Sequence, residues 1–297
     1  MGLKLWRSHP APGKAAPSRL ARWGQTAVAL TLMAPGFLLL AGLFFYPLVI
    51  VLISSLKGPQ GPTLAHYAKF VSDGRSYAAL VNTVKIAILS TAGCVIVSLP
   101  LALLLRRSQR YQAFMRTLIT IPLMVPVLIA AYALTLFFSR NGLFNYLVVN
   151  VMHLAPERLT ISYTLTGVIL ACVWRYFPFV AIVVAGALES LNPSLEEAAA
   201  SMGASPMRAF RDVVLPLLAP SIVTGSILVF VGTFGTFSIP LIMGRGEEVL
   251  SVLAYRYHAV FFDSASASTV AVVMVVVQVV LLTLFARILR GPATWTR

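Results

Sequence analysis

The sequence predicts an all-α polytopic membrane protein with six transmembrane helices and both termini cytoplasmic, and three observations carry that reading. Hydrophobic residues make up 59% of the 297-residue chain and charged ones only 11%, a balance that excludes a water-soluble core. The apolar residues gather into six runs, each long enough for the roughly 20 residues of helix that a bilayer crossing needs. Lysine and arginine divide unequally between the two sides those runs define, as happens when translocation of positive charge is disfavoured.

Residues 1–26 set Lys4, Arg7, Lys14, Arg19 and Arg22 among Pro10, Pro12 and Pro17. This basic cytoplasmic tail is expected to adhere to the anionic inner-leaflet surface. The transmembrane domain is expected over 27–290. Its first run, 27–55, is too long and too poor in a small-residue cleavage pattern for a removed signal peptide, so it reads as a retained helix. The second, 80–105, carries Lys85 near its outer end, where a long side chain can snorkel. The third, 116–138, contains Pro122 and Pro126, and the fourth, 162–188, contains Pro178; each proline predicts a kink that frees a carbonyl. The fifth covers 217–242 and the sixth 268–290, with 291–297 as a second cytoplasmic tail. Segments on the side of the termini hold 14 lysines and arginines against 7 opposite, which makes both ends cytoplasmic.

The net charge of +14 does not point to nucleic acid, because the basic residues are spread between apolar runs instead of gathered on one surface. Cys94 and Cys172 each lie inside an apolar run and read as small hydrophobes. His9, His66, His153 and His258 are scattered without companion ligands, so no metal site is expected.

Between the fourth and fifth crossings, the cytoplasmic segment 191–216 contains its own helix signals. Ser194 with Glu197 has the spacing of a capping box, and Ala198, Ala199 and Ala200 propagate a helix cheaply. Gly203 is free to take a positive φ and end the turn. Ser205-Pro206 restarts a helix, with serine as cap and proline at the first helical position. Met207, Phe210 and Val214 then form an apolar stripe, while Arg208, Arg211 and Asp212 face elsewhere. The residues alone allow two readings: an interfacial helix pair that anchors two crossings, or a rigid exposed element for a soluble partner to grip.

The spacing Glu197-Ala198-Ala199, Gly203, Val213, Leu215-Pro216 resembles the EAA motif in the membrane permease subunits of binding-protein-dependent ABC importers, with valine where that family usually has isoleucine. The resemblance extends over most of 27–290 and implies a type I importer permease fold in a bacterial inner membrane. It implies that the short helix after the glycine is a coupling helix docked on an ATP-hydrolysing subunit through Glu197, Ala198, Ala199, Gly203, Ala204, Ser205, Pro206, Arg208 and Phe210. The partners it implies are a second permease, identical or homologous, two ATP-binding subunits and an extracytoplasmic solute-binding protein. No GxxxxGK[ST] phosphate loop occurs, and Gly244-Arg245-Gly246-Glu247 reads as a loop turn. The chain is therefore expected to be no enzyme and to bind no cofactor, with ATP and Mg2+ used by the partners to drive alternating access.

Polar residues within crossings are costly, so their positions bear on the path. Arg175 is either a substrate or gating contact or a brace on neighbouring carbonyls. Thr233, Phe234, Thr236, Phe237 and Ser238 are candidates for lining the path in the fifth crossing, the alternative being a small-residue packing seam around Gly232 and Gly235. This stretch is most similar to permeases for polyamines, iron(III), sulfate and phosphonates. No aspartate or glutamate lies within a predicted crossing, which runs against a polycation, and the substrate stays open. A secondary transporter is the alternative, yet the coupling-ion carboxylates or broken-helix repeats it needs are not evident. An integral membrane enzyme would need converging catalytic groups, and none is seen.

Overall fold

The structure is a computed structural model and describes residues 19–58, 61–107 and 111–290. Residues 1–18 and 291–297 of the expected tails lie outside the described residues. The chain divides into two compact units, one ending at Ile50 and the next beginning at Val51.

The first unit is helical from α1 (Arg19–Leu40) through a five-residue π-helical stretch, Ala41–Phe45, into α2 (Tyr46–Ser55), which carries the chain across the boundary. Thr31–Ser55 is long and apolar enough to span a membrane. Leu32, Phe37, Leu43 and Phe44 are exposed along it, as suits a surface solvated by lipid tails.

The second unit opens with a short antiparallel pair, β1 (Lys57–Gly58) and β2 (Gly61–Pro62), in register Lys57 to Pro62. Then come α3 (Ala65–Ser72), α4 (Gly74–Arg107), α5 (Gln112–Met124), α6 (Val127–Phe137) and the three-residue α7 (Leu143–Asn145), which continues as π-helix over Tyr146–Val151. Next are α8 (Leu165–Ser190), α9 (Ser194–Ser201), α10 (Pro206–Ala209), a π-helical stretch Phe210–Val214 and α11 (Leu215–Phe234). The unit ends with α12 (Ser238–Met243), α13 (Leu250–Tyr255), a π-helical stretch Arg256–Val260 and α14 (Ser264–Arg290).

Two expected crossings differ from the sequence reading. The third is not one kinked helix: α5 and α6 meet at 97°. Pro126 has no amide to donate and pushes Val125 out of the helical region, to φ −75°, ψ 130°. The fifth stops at Phe234, not 242; Gly235 ends α11, and α12 begins separately at Ser238.

The core of the second unit is the packing of α4, α8 and α11 around Cys94, Ala102, Leu105, Val180, Val184, Leu188, Val214 and Leu218. Along the α4–α8 seam, Ser90, Cys94 and Ser98 donate to the carbonyls of Ile169, Val173 and Phe177 at 3.5, 3.6 and 2.8 Å. Donors and acceptors both advance by four residues in the same direction, so the two helices run parallel. Parallel neighbours require the chain between them to return across the membrane, and the broken α5–α6 pair is the segment long and apolar enough to do so. With that pair taken as one span, the candidate spans among the described residues number six. Gly225 of α11 lies so close to α8 that an added Cβ would sit 3.0 Å from Val180 Cα, the small-residue contact by which membrane helices approach.

Candidate functional site

The segment joining α8 to α11 is built by local signals, though not all of those expected. The capping box at Ser194 does not form. Pro193 is the cap, with no side-chain cap bond, and Asn192 Oδ1 instead accepts from the Ser194 amide at 3.0 Å. Pro193 already has helical φ and its carbonyl accepts from Glu196 and Glu197, so the helix begins one residue before a serine cap could act. Glu196 and Glu197 occupy the first turn, where negative charge complements the helix dipole.

The end of α9 obeys the expected chemistry. Gly203 has φ +85°; its amide donates to Ala200 O at 2.9 Å, and that of Ala204 donates to Ala199 O at 3.0 Å. This is the paired reverse bonding of a Schellman cap, which glycine adopts without strain. Ser205 Oγ then accepts from Arg208 N at 3.4 Å, with Pro206 at the first helical position.

The helix that begins at Pro206 is not a separate short one. Pro206–Phe234 forms a single 29-residue span candidate, because the π-helical stretch Phe210–Val214 bridges α10 to α11 without a break. Nor does the expected stripe all turn inward: Val214 is buried and Phe210 half-buried against the α4–α8–α11 core, while Met207 is 74% exposed. Ala209 is buried in its place. The exposed surface of the turn carries Glu197, Ala198, Gly203, Ser205, Pro206 and Arg208, with Ala199 buried and Ala204 half-buried behind it. Leu195, Met202 and Met207 add exposed apolar area to the same tip.

Ion pairs unforeseen in the sequence hold this segment. Arg106, at the end of α4, pairs with Glu196 of α9. Arg116 and Gln112 of α5 both donate to Glu189 at the end of α8. The arginines carry a signal in the sequence, but only as topological charge.

The candidate path residues are dispersed. Arg175 is half-buried and donates through Nη1 to the carbonyl of Pro122. Thr233 is buried and bonds back to Val229 O at 2.7 Å. Phe234 is buried with Phe230 and Ala87 against α14. Thr236 sits buried in the break after α11, its carbonyl accepting from Ser251 Oγ at 2.7 Å. Phe237 packs edge-on against Tyr255, with ring centres 5.2 Å apart, and Ser238 starts α12 half-buried. Lys85 is exposed on α4.

At the opposite end of the spans from α9, the 244–249 loop is pinned to α4. Gly246 has φ +99° in the expected turn. Asn82 Nδ2 donates to Glu247 Oε2 at 3.0 Å and Glu248 O at 3.1 Å, and Leu250 N donates to Thr83 Oγ1 at 2.9 Å. Glu248 pairs with Arg256 and lies 3.7 Å from Arg75.

The sequence model of the family described as "Binding-protein-dependent transport system inner membrane component" matches residues 94–291. The inner membrane ABC transporter permease protein YcjO of Escherichia coli K12 is 30% identical over 86% of this chain and 92% of its own length. The putative 2-aminoethylphosphonate transport system permease protein PhnU of Salmonella typhimurium LT2 is 29% identical over 86% of this chain and 90% of its own. Among solved structures, a chain of a bacterial ABC transporter involved in import of the acidic polysaccharide alginate superposes with a TM-score of 0.76. It is 20% identical and matches over 93% of this chain and 100% of that one.

Proposed function

We propose a working role from one premise: the chain belongs to the family of binding-protein-dependent transport system inner membrane components. It is a permease subunit of an ABC importer, resident in the inner membrane. In the role proposed, this subunit forms half of a path for a small solute handed over by an extracytoplasmic binding protein. Two separate ATP-binding subunits drive it by alternating access, and a second permease, identical or homologous, completes the path. This chain binds no cofactor; ATP and Mg2+ act in the partners.

The observation that supports this reading is the continuous helix from Pro206 to Phe234 behind an exposed, doubly capped turn. A partner seated on Glu197, Ala198, Gly203, Ser205, Pro206 and Arg208 would push on the first turns of that helix. A helix does not compress along its axis, so displacement at Pro206 is delivered across the membrane to the break at Gly235–Phe237. The Schellman cap and the Arg106–Glu196 pair fix α9 beside it, so the load is not lost in a floppy loop. The apolar surface of Leu195, Met202 and Met207 suits burial against such a partner.

The substrate class best supported is a small anion of the phosphonate kind, for which PhnU is named. The predicted crossings contain no carboxylate to offset the desolvation of a polyamine. The decisive experiment is co-purification in mild detergent with the candidate ATPase subunit. The expected result is a complex whose ATP turnover rises with the loaded binding protein. A chain that holds no ATPase subunit and transports on an ion gradient would remove the proposal.

A further inference from the structure

The long connection between α6 and α8 forms an open, surface-facing cavity of about 320 Å3 lined by Arg140, Asn141, Gly142, Tyr146, Asn150 and Arg158, with both arginines exposed. It lies at the end of the spans opposite the α9 turn, on the side that the charge distribution makes extracytoplasmic. Two guanidiniums, two amides and a phenol give it mainly hydrogen-bond donors. None of the ion pairs among the described residues involves Arg140 or Arg158. Arg158 donates to Asn141 Oδ1, a neutral acceptor that leaves its charge uncompensated.

The cavity is built, not incidental. Asn145 is 1% exposed. Its Nδ2 donates to Ser139 O at 3.0 Å and Leu159 O at 2.9 Å, and its Oδ1 accepts from Leu159 N at 2.7 Å. That one side chain staples together the two strands of the loop next to Arg140 and Arg158. Like charges are thereby held on a common cavity despite their repulsion, an arrangement whose natural complement is an anion.

Its depth says which anion. Arg140 comes three residues after the apolar span ends at Phe137. Phe137, Phe138 and Phe144 cluster there with ring centres 5.0 to 6.0 Å apart, and Tyr146 is on the cavity wall. Aromatic rings and arginines in this order mark the headgroup layer. Leu143, Val151 and Met152 lie exposed along the adjoining helix, an apolar surface suited to an acyl chain.

We propose that Arg140 and Arg158 bind the phosphate of an anionic phospholipid headgroup in the leaflet facing away from the cytoplasm. The full-length protein is reconstituted into nanodiscs of phosphatidylcholine with phosphatidylglycerol, and native mass spectrometry reads which lipid stays bound on release. Wild type is expected to retain phosphatidylglycerol preferentially. Arg140→Gln should lower that preference about fivefold, and Arg140→Gln with Arg158→Gln further, from the usual attraction of a cation near a charged surface. Arg140→Lys with Arg158→Lys should keep most of it and serves as the check on folding. Equal preference in wild type and the double glutamine variant overturns the assignment. So does an equal loss on Arg245→Gln, an exposed arginine in another loop of the same side, since bulk charge would then suffice. Inorganic phosphate titrated into discs of phosphatidylcholine alone separates the two sources of the same chemistry: saturable, arginine-dependent phosphate binding without lipid preference overturns the lipid in favour of a soluble anion.

Discussion

The guanidinium of Arg175 on α8 donates to the carbonyl of Pro122 on α5. That acceptor is the one a straight helix would satisfy from residue 126, and Pro126 has no amide hydrogen to give. The brace reading of Arg175 thus acquires a specific physical cause: it supplies the donor that the 97° break removes. Arg175→Ala should orphan a carbonyl in apolar surroundings and destabilise the protein by about 1–3 kcal/mol. Adding Pro126→Ala restores a backbone donor, so the Arg175→Ala penalty should shrink in that background. Thermal unfolding of the four-member cycle in detergent tests this; a penalty independent of residue 126 would return Arg175 to the path.

Much of the fold is legible in the residues alone, and the departures at Pro126, Arg106 and Asn145 arise from partners distant in sequence. Gly203, Ser205 and Pro206 act through their own backbone preferences, which need no tertiary partner, and they behave as their chemistry predicts. The six apolar runs are likewise local facts. How far Pro126 bends the chain depends on whether a donor reaches the Pro122 carbonyl from Arg175 of α8, 53 residues away from it. The pairing of Arg106 with Glu196 spans 90 residues, and Asn145 becomes a staple only when Ser139 and Leu159 are brought to it. The capping box fails for a local reason: Pro193 starts the helix before Ser194.

Gly203 separates backbone strain from side-chain crowding. An added Cβ would meet nothing within 4 Å, yet φ is +85°. Gly203→Ala should therefore cost only about 1 kcal/mol, the left-handed penalty of an ordinary residue. Gly203→Pro cannot reach that φ and also deletes the bond to Ala200 O. It should abolish binding-protein-stimulated ATP turnover while the chain still inserts. Normal turnover in the proline variant would break the link between this turn and coupling.

Arg106 and Glu196 are 22% and 43% exposed, so their pairing should be modest and screened by salt. A double-mutant cycle with Arg106→Gln and Glu196→Gln should give a coupling of about 0.5–1 kcal/mol that fades in high salt. The same variants should loosen α9 and raise amide exchange over Leu195–Ser201. Unchanged exchange there would show that the Schellman cap alone holds the helix.

Two helix starts on the extracytoplasmic side are capped by carboxylates that titrate. Asp73 accepts from Ser76 Oγ at 2.7 Å and Ser76 N at 3.0 Å, and the Ser76 hydroxyl is the main reason its carboxyl sits below the ordinary 3.8. At Asp263 burial pushes upward, but hydrogen bonds from Ser266 outweigh it and again lower the value. A depressed folded pKa stabilises above the unfolded value and is lost as pH falls through the folded one. The protection of amides in the first turns of α4 and α14, exchange measured relative to the intrinsic rate at each pH, should hold on acidification to about pH 4 and fall below it. Asn at both positions keeps a capping oxygen that does not titrate, so Asp73→Asn with Asp263→Asn should remove the acid response. Its persistence would assign it to other carboxylates.

The α8–α11 contact at Gly225 gives a test in which sterics, helix propensity and function separate. A methyl there would sit 3.0 Å from Val180 Cα and 3.4 Å from its Cβ and Cγ1. The obstacle is backbone, so no rotamer change relieves it and the helices must part. Overpacking of this sort costs about 1–3 kcal/mol, against a helix-propensity gain of up to about 1 kcal/mol for alanine over glycine. Gly225→Ala should be net destabilising. Gly186→Ala on α8 meets nothing within 4 Å and should be neutral or mildly stabilising. Because α11 is the far half of the helix that begins at Pro206, parting it from α8 should also lower ATP turnover coupled to transport. Gly186→Ala should leave that coupling intact. A Gly225→Ala variant as stable and as well coupled as Gly186→Ala would mean that α11 already slides freely on α8, and that force entering at Pro206 is not guided by this contact.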